Sequence, residues 1–226
     1  MIPLRDSIRS RSTPIVTLTI IAVCVAVFLY AQGLGSRAEL MAFYETYGAV
    51  PRAVVAGSWP EGRLGLVTSM FLHGSWAHLG GNMLYLWVFG DNVEDSMGHG
   101  RFLVFYLLTG VLAALAHVVT QPGSSVPLVG ASGAIAAVLG AYLMLHPRSG
   151  ILSLVLIPPF FVRVVELPAL IVLSLWFLLQ LVQGFAALAH PGVTTVAWWA
   201  HIGGFVAGVL LVGWFARHRD DRGVRW

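Results

Sequence analysis

Charge is what this chain has least of. Asp, Glu and Arg make up only 10% of its 226 residues, and lysine is absent, so that all 13 basic residues are arginine. With 58% of the residues apolar, there is too little charge to cover a soluble globule, and the composition belongs in a bilayer. Cysteine occurs once, as Cys24 inside an apolar run, which excludes an intramolecular disulfide and reads as a small core residue. A net charge of +3 on a soluble domain would suggest nucleic acid. Here the arginines fall between apolar runs and read as topology signals, so no nucleic-acid partner is expected. The arginines at the start of the chain precede an apolar run that is long enough to span and lacks a small-residue cleavage site, the pattern of a retained signal anchor.

Stretches without charge set the organisation, because a charge at mid-bilayer costs several kcal/mol and a span needs about 20 apolar residues. Residues 12–36 hold one span and 64–90 another. Residues 102–147 are long enough for two, divided by Gln121-Pro122-Gly123-Ser124-Ser125, which cannot continue a helix. Residues 167–216 likewise hold two, divided at His190-Pro191-Gly192. The expected fold is therefore an all-α polytopic membrane protein of six transmembrane helices in one domain: a cytoplasmic segment 1–13, a six-helix core 14–216 and a cytoplasmic tail 217–226. The apolar stretch between Arg148 and Arg163 carries Pro158-Pro159 at its centre and is short for a span, so it reads as a loop dipping into the headgroup region, with a seventh span as the alternative.

With six spans and cytoplasmic termini, Arg5, Arg9, Arg11, Arg101, Arg148, Arg163, Arg217, Arg219, Arg222 and Arg225 lie inside, and only Arg37, Arg52 and Arg63 outside. That is a positive-inside bias, with spans 1, 3 and 5 running outward and spans 2, 4 and 6 inward. The external segment 33–64 holds Phe43, Tyr44, Tyr47 and Trp59, read as interfacial anchors. Arginine without lysine fits a GC-rich bacterial genome, and the expected location is the bacterial inner membrane.

Four polar residues then fall at one depth, just below the outer surface: His78 and Asn82 at the start of span 2, Ser132 at the start of span 4 and His201 near the start of span 6. Each alone has a plain reading. Gly130-Ala131-Ser132-Gly133-Ala134 is a small-residue packing face, and Ala200-His201-Ile202-Gly203-Gly204 with Gly208 is a buried histidine on a Gly-xxx-Gly face. Together they set a nucleophile and a base on two helices whose glycines permit close backbone approach. His78 and Asn82, four apart, share a face and can direct donors at one spot, an oxyanion hole completed by the backbone N–H of Ser132; otherwise they are a polar pair joining helices. None of the ten acidic residues falls in span 4 or span 6, so a Ser–His dyad is expected rather than a triad. Span 4, about 25 Å from Gly130 to His146, is shorter than the bilayer, which would set Ser132 below the surface in a cavity supplying water.

Phe71-Leu72-His73 followed by His78-Leu79-Gly80-Gly81-Asn82, then Glu94 with Gly98-His99-Gly100-Arg101, then Gly130 to Gly133, and finally Ala200 to Gly204 with Gly208, resemble the motifs of the rhomboid family along 71–208. The resemblance implies an intramembrane serine protease acting on transmembrane protein substrates within the lipid bilayer, with no metal and no cofactor, its site opening to the external side. It also implies that span 5 and the loop from His190 to Thr195 move to admit substrate. His73, Gly130, Gly133, Gly204 and Gly208 are then structural residues near the site, and Glu94 and Arg101 structural charges. Two positions depart from the pattern: Ala136, often aromatic, and Leu64-Gly65, where some members carry Trp-Arg. With no ring at 136, His201 is expected to be held by Phe205, one turn further on its own helix, or by packing through Gly204 and Gly208.

Two rivals remain. A metal- or haem-binding membrane protein would use His73, His78, His117, His190 and His201, although no His-Glu-x-x-His occurs and no carboxylate accompanies them. A catalytically inactive relative would hold membrane clients without cutting them.

Overall fold

The computed structural model describes residues 1–58, 62–157, 161–189 and 196–217. Trp59, Pro158-Pro159, the loop from His190 to Thr195 and Arg219, Arg222 and Arg225 lie outside the described residues. The chain opens with strand β1 (Ile2–Asp6), followed by helix α1 (Ile15–Gln32). The segment expected along the surface is itself largely helical, with α2 (Arg37–Tyr47) and α3 (Pro51–Ala56), before the short α4 (Gly65–Thr68) and a 3-10 turn (Ser69–Phe71). Then come α5 (Trp76–Met97), α6 (His99–Thr120), α7 (Ser132–Leu145), strands β2 (Gly150–Ile157) and β3 (Phe161–Pro168), α8 (Ala169–Ala189) and α9 (Trp198–Phe215).

Four of these helices, α1, α6, α8 and α9, are long and apolar enough to cross a membrane. Helix α7 is apolar but has only 14 residues, roughly 21 Å at 1.5 Å per residue. Helix α5 has 22 residues but carries Asp91, Glu94 and Asp95 toward its end.

Helix α7 lies at the centre, buried without interruption from Gly133 to Tyr142. Its sequence explains why: small side chains let neighbouring backbones come close, which is how helices associate where no hydrophobic force distinguishes them from lipid. A Cβ at Gly204 would overlap the Gly133 carbonyl, one at Gly208 the Ala137 carbonyl, and one at Gly140 the Phe205 carbonyl. These contacts bring the backbones of α7 and α9 together along their length. Gly203 packs in the same way on Ala116 of α6.

Glu94, a structural charge by the family resemblance, is fully buried inside α5, at 0% exposure. Its carboxylate accepts the backbone N–H groups of Val16 (2.9 Å) and Thr17 (2.8 Å) and the Thr17 hydroxyl (2.7 Å), and it meets His99 Nδ1 at 2.6 Å. The first turn of α1 begins at Ile15 after Pro14 with no side-chain cap of its own, so a distant carboxylate satisfies donors that the helix leaves free and complements its dipole. Glu94→Ala strands these donors in a buried place and is expected to cost about 2–4 kcal/mol, read as a lowered melting temperature of the solubilised protein, with Glu94→Gln intermediate.

Two expectations give way at this end of the bundle. The stretch after Arg148 is neither a loop nor a seventh span: Gly150–Ile157 and Phe161–Pro168 pair antiparallel from Gly150↔Pro168 to Ile157↔Phe161. Nor is the fold purely helical, since β1 adds to β2 antiparallel, from Ile2↔Leu154 to Asp6↔Ile151, making a three-stranded sheet in the order β1-β2-β3. The reason is visible in Val162-Arg163-Val164-Val165-Glu166: three β-branched valines in five residues favour a pleated surface, and hydropathy read by length alone overlooks that preference. Glu166, the charge that precedes the charge-free stretch 167–216, belongs to β3.

The sheet also ties the first residues of the chain to the core. The Tyr142 hydroxyl donates to Asp6 Oδ2 at 2.5 Å and lies 2.9 Å from Ser149 Oγ, while Asn92 Nδ2 donates to the same Asp6 oxygen at 2.7 Å. Burial pushes the Asp6 carboxyl up to about 6; the Tyr142 hydrogen bond opposes this and the negative charge of Asp91 adds to it. A carboxyl whose folded value lies above its unfolded one binds more protons when folded between about pH 4 and pH 6, so stability is greatest below that window and falls as pH rises through it. Discounted for partial exposure, the loss is about 1 kcal/mol. Asp6→Asn keeps an acceptor without the charge, and is expected to flatten the melting temperature across that window.

Candidate active site

The starts of α5, α7 and α9 lie at the end of the bundle opposite the sheet, and each brings one part of the site. Ser75 caps α5, its hydroxyl accepting the His78 N–H at 3.1 Å, which sets His78 in the first turn and Asn82 one turn on. His78 is half-buried; Asn82 is buried, with a side-chain Nδ2 that meets no hydrogen-bond partner among the described residues. The His73 ring, almost fully buried, stands edge-on to His78 with centroids 5.2 Å apart, and its backbone carbonyl accepts the Tyr44 hydroxyl at 2.8 Å.

Gly130 turns the chain into α7 with φ +132°, a conformation that L side chains rarely adopt, and its N–H donates to the Ser69 carbonyl at 2.8 Å. Space as well as torsion requires glycine there: a Cβ would sit 2.7 Å from His78 Nε2. The imidazole of α5 thus lies against the backbone two residues before Ser132. Helix α7 starts at Ser132 with no side-chain cap, leaving first-turn N–H groups directed out of its positive end. A cavity of about 10 Å³, room for roughly one water, lies beside Ser132 among Ser69, Met70, Gly130, Gly133 and Ala200.

Ser132 Oγ and His201 Nε2 are 2.8 Å apart, hydrogen-bonded across the α7–α9 contact. Of the two expected supports for the imidazole, the packing of Gly204 and Gly208 on α7 is made, while the Phe205 ring is turned to α8. Phe205 is buried, but its ring stacks on Phe177 of α8, with centroids 4.4 Å apart, rather than on His201. The histidine is held from α8: His201 Nδ1 meets Gln180 Oε1 at 2.8 Å, and the Trp176 ring, one turn before Gln180, lies 6.1 Å from the imidazole centroid. Trp198 stands edge-on at 6.0 Å. Ala136 is wholly buried in the α7 core. Gln180 escapes a reading based on ionisable groups because its amide carries no charge. The signal that could have found it was a glutamine within an uncharged span, one turn after a tryptophan.

Among the described residues, no three or more His, Cys, Asp or Glu side chains group as metal ligands would. His117 is buried within α6.

The family model of the rhomboid domain matches residues 60–218, which contain His78, Asn82, Ser132, Gln180 and His201. Among curated relatives, rhomboid protease GluP of Bacillus subtilis (strain 168) is 37% identical over 134 residues, 58% of this chain and 24% of that protein. Presenilin-associated rhomboid-like protein A, mitochondrial, of Danio rerio is 34% identical over 154 residues, 67% of this chain and 37% of the relative. Rhomboid protease GlpG of Serratia proteamaculans (strain 568) is 27% identical over 215 residues, 95% of this chain and 67% of the relative. The chain therefore spans about a quarter of the first, over a third of the second and two thirds of the third. With the family model covering well over half its length, the chain belongs to the rhomboid family of integral membrane proteins.

Proposed function

We propose that this protein is an intramembrane serine endopeptidase that hydrolyses peptide bonds in or near the transmembrane segments of other membrane proteins. The observation that carries this reading is the 2.8 Å hydrogen bond between Ser132 Oγ and His201 Nε2, made between two helices at the start of both. Ser132 attacks the scissile carbonyl as His201 takes its proton; the histidine then returns a proton to the leaving amine, and water enters by the same steps to release the acyl group. Developing negative charge on the carbonyl oxygen falls at the uncapped start of α7, where the Ser132 backbone N–H, the free Asn82 amide and His78 supply donors. The unpartnered Asn82 Nδ2 supports that role, because a buried donor without an acceptor costs free energy unless something uses it.

The chain acts as one membrane domain in which α1, α5, α6, α7, α8 and α9 are the six spans. Both termini lie on the cytoplasmic side of a bacterial inner membrane, and the site opens to the external side. The shortness of α7 supports a recessed start reached by water, since about 21 Å leaves it well short of the roughly 30 Å hydrocarbon core. The relatives named as rhomboid proteases support the chemistry. The test is incubation of the solubilised protein with a single-span reporter, together with fluorophosphonate labelling of wild type and Ser132→Ala. Cleavage and a label that both depend on Ser132 are expected. A binding-only relative would give neither.

A further inference from the structure

We infer that Gln180 is a positioning residue that fixes the His201 imidazole in its working tautomer and orientation. This rests on the protease reading above. For Nε2 to accept the Ser132 hydroxyl, the proton of a neutral imidazole must sit on Nδ1, and that N–H then needs an acceptor in a place with little water. Gln180 Oε1 stands 2.8 Å from Nδ1, and the glutamine is itself buried. Which end of its amide faces the histidine follows from the other end: Nε2 donates to the Trp176 backbone carbonyl at 3.3 Å, which leaves the oxygen for Nδ1. No carboxylate takes this place in the hydrogen bonding of His201, so a neutral amide does the orienting work that a buried acid does in a triad, without a second charge in the bilayer. Trp176 and Gln180 are one turn apart on α8 and meet the same imidazole, one as a tilted ring 6.1 Å from its centroid and one at its ring nitrogen. The acceptor thus comes from a third helix, one that bears neither Ser132 nor His201.

The experiment measures reporter cleavage and the rate of fluorophosphonate labelling at Ser132 for the full solubilised chain, as wild type, Gln180→Met and Gln180→Glu. Methionine keeps the length and loses the acceptor. Glutamate keeps an oxygen for Nδ1 in either protonation state, and loses the donor to the Trp176 carbonyl when it is ionised. Gln180→Met is expected to lower kcat and the labelling rate constant about 10–100-fold, the cost usual for a residue that orients a reacting ligand, with KM little changed. Gln180→Glu is expected to recover most of that loss, which a role confined to joining α8 to itself would not produce. A Gln180→Met variant with wild-type kcat and labelling overturns the inference, and so does a Gln180→Glu variant as impaired as Gln180→Met. If methionine prevents folding, the glutamate variant still decides, because retention of the acceptor requires a rate near that of wild type. Failure of the protease reading looks different: wild type itself is neither labelled nor active, or Ser132→Ala cleaves as well as wild type, and the inference falls with it.

Discussion

Ser132→Ala is expected to abolish cleavage of a single-span reporter, lowering kcat by about 10⁴–10⁶-fold, and His201→Ala to do as much. The size of the effect follows from the geometry. The hydroxyl and imidazole form one hydrogen-bonded unit, so removing the base leaves an alcohol that is almost never ionised, and removing the alcohol leaves a base with nothing to activate. The double variant should be no worse than either single one, because each already destroys the unit. Neither change should unfold the protein, since the α7–α9 contact is made by Gly133, Ala137 and Gly140 against Gly204, Gly208 and Phe205 and needs neither side chain. The check is initial-rate cleavage with a melting curve for each variant. Turnover in folded Ser132→Ala at the wild-type rate would refute the assignment of the nucleophile.

Asn82→Ala and His78→Ala are expected to lower kcat by roughly 10²-fold or more, with a smaller change in KM. Asn82 offers a buried N–H with no partner in the resting protein, so it gains most when an oxyanion forms and little when a neutral carbonyl binds. His78 sits against Gly130 with its ring beside the backbone that leads to Ser132, which puts a second donor near the start of α7. Truncation of Asn82 removes a donor that had no mate, so it leaves no stranded group behind and should cost little stability. The discriminating quantity is therefore the split between kcat and KM. A folded Asn82→Ala or His78→Ala enzyme with full kcat would remove that residue from the oxyanion role.

The helices could be read from the chain with some success, and the reason is local. A charge-free run of about 20 residues has few alternatives, and the breaks at Gln121–Ser125 and at the start of α8 fall where Pro and Gly or a change of composition set them. Small residues around Ser132 and His201 marked the face on which α7 and α9 would meet, and the two side chains do meet there. The sheet could not be read in the same way. β1 pairs with residues about 150 positions away, from Ile2↔Leu154 to Asp6↔Ile151, and no local window of sequence contains both partners. For the same reason the partners of Glu94 could not be read, since the first turn of α1, which lies on it, is 77 and 78 positions away.

The sequence by itself determined the apolar spans, the small-residue faces and the placing of Ser132, His201, His78 and Asn82 at the starts of their helices, because length, hydropathy and helical spacing are properties of neighbouring residues. Only the tertiary structure decided what satisfies the rest. It turned Gln180 rather than Phe205 to His201 Nδ1, gave the N–H groups of α1 to Glu94, and set Asp6 under Tyr142. Each is a polar group excluded from water, where a hydrogen bond left unmade is costly, and its partner is whichever acceptor or donor the packed helices bring within reach.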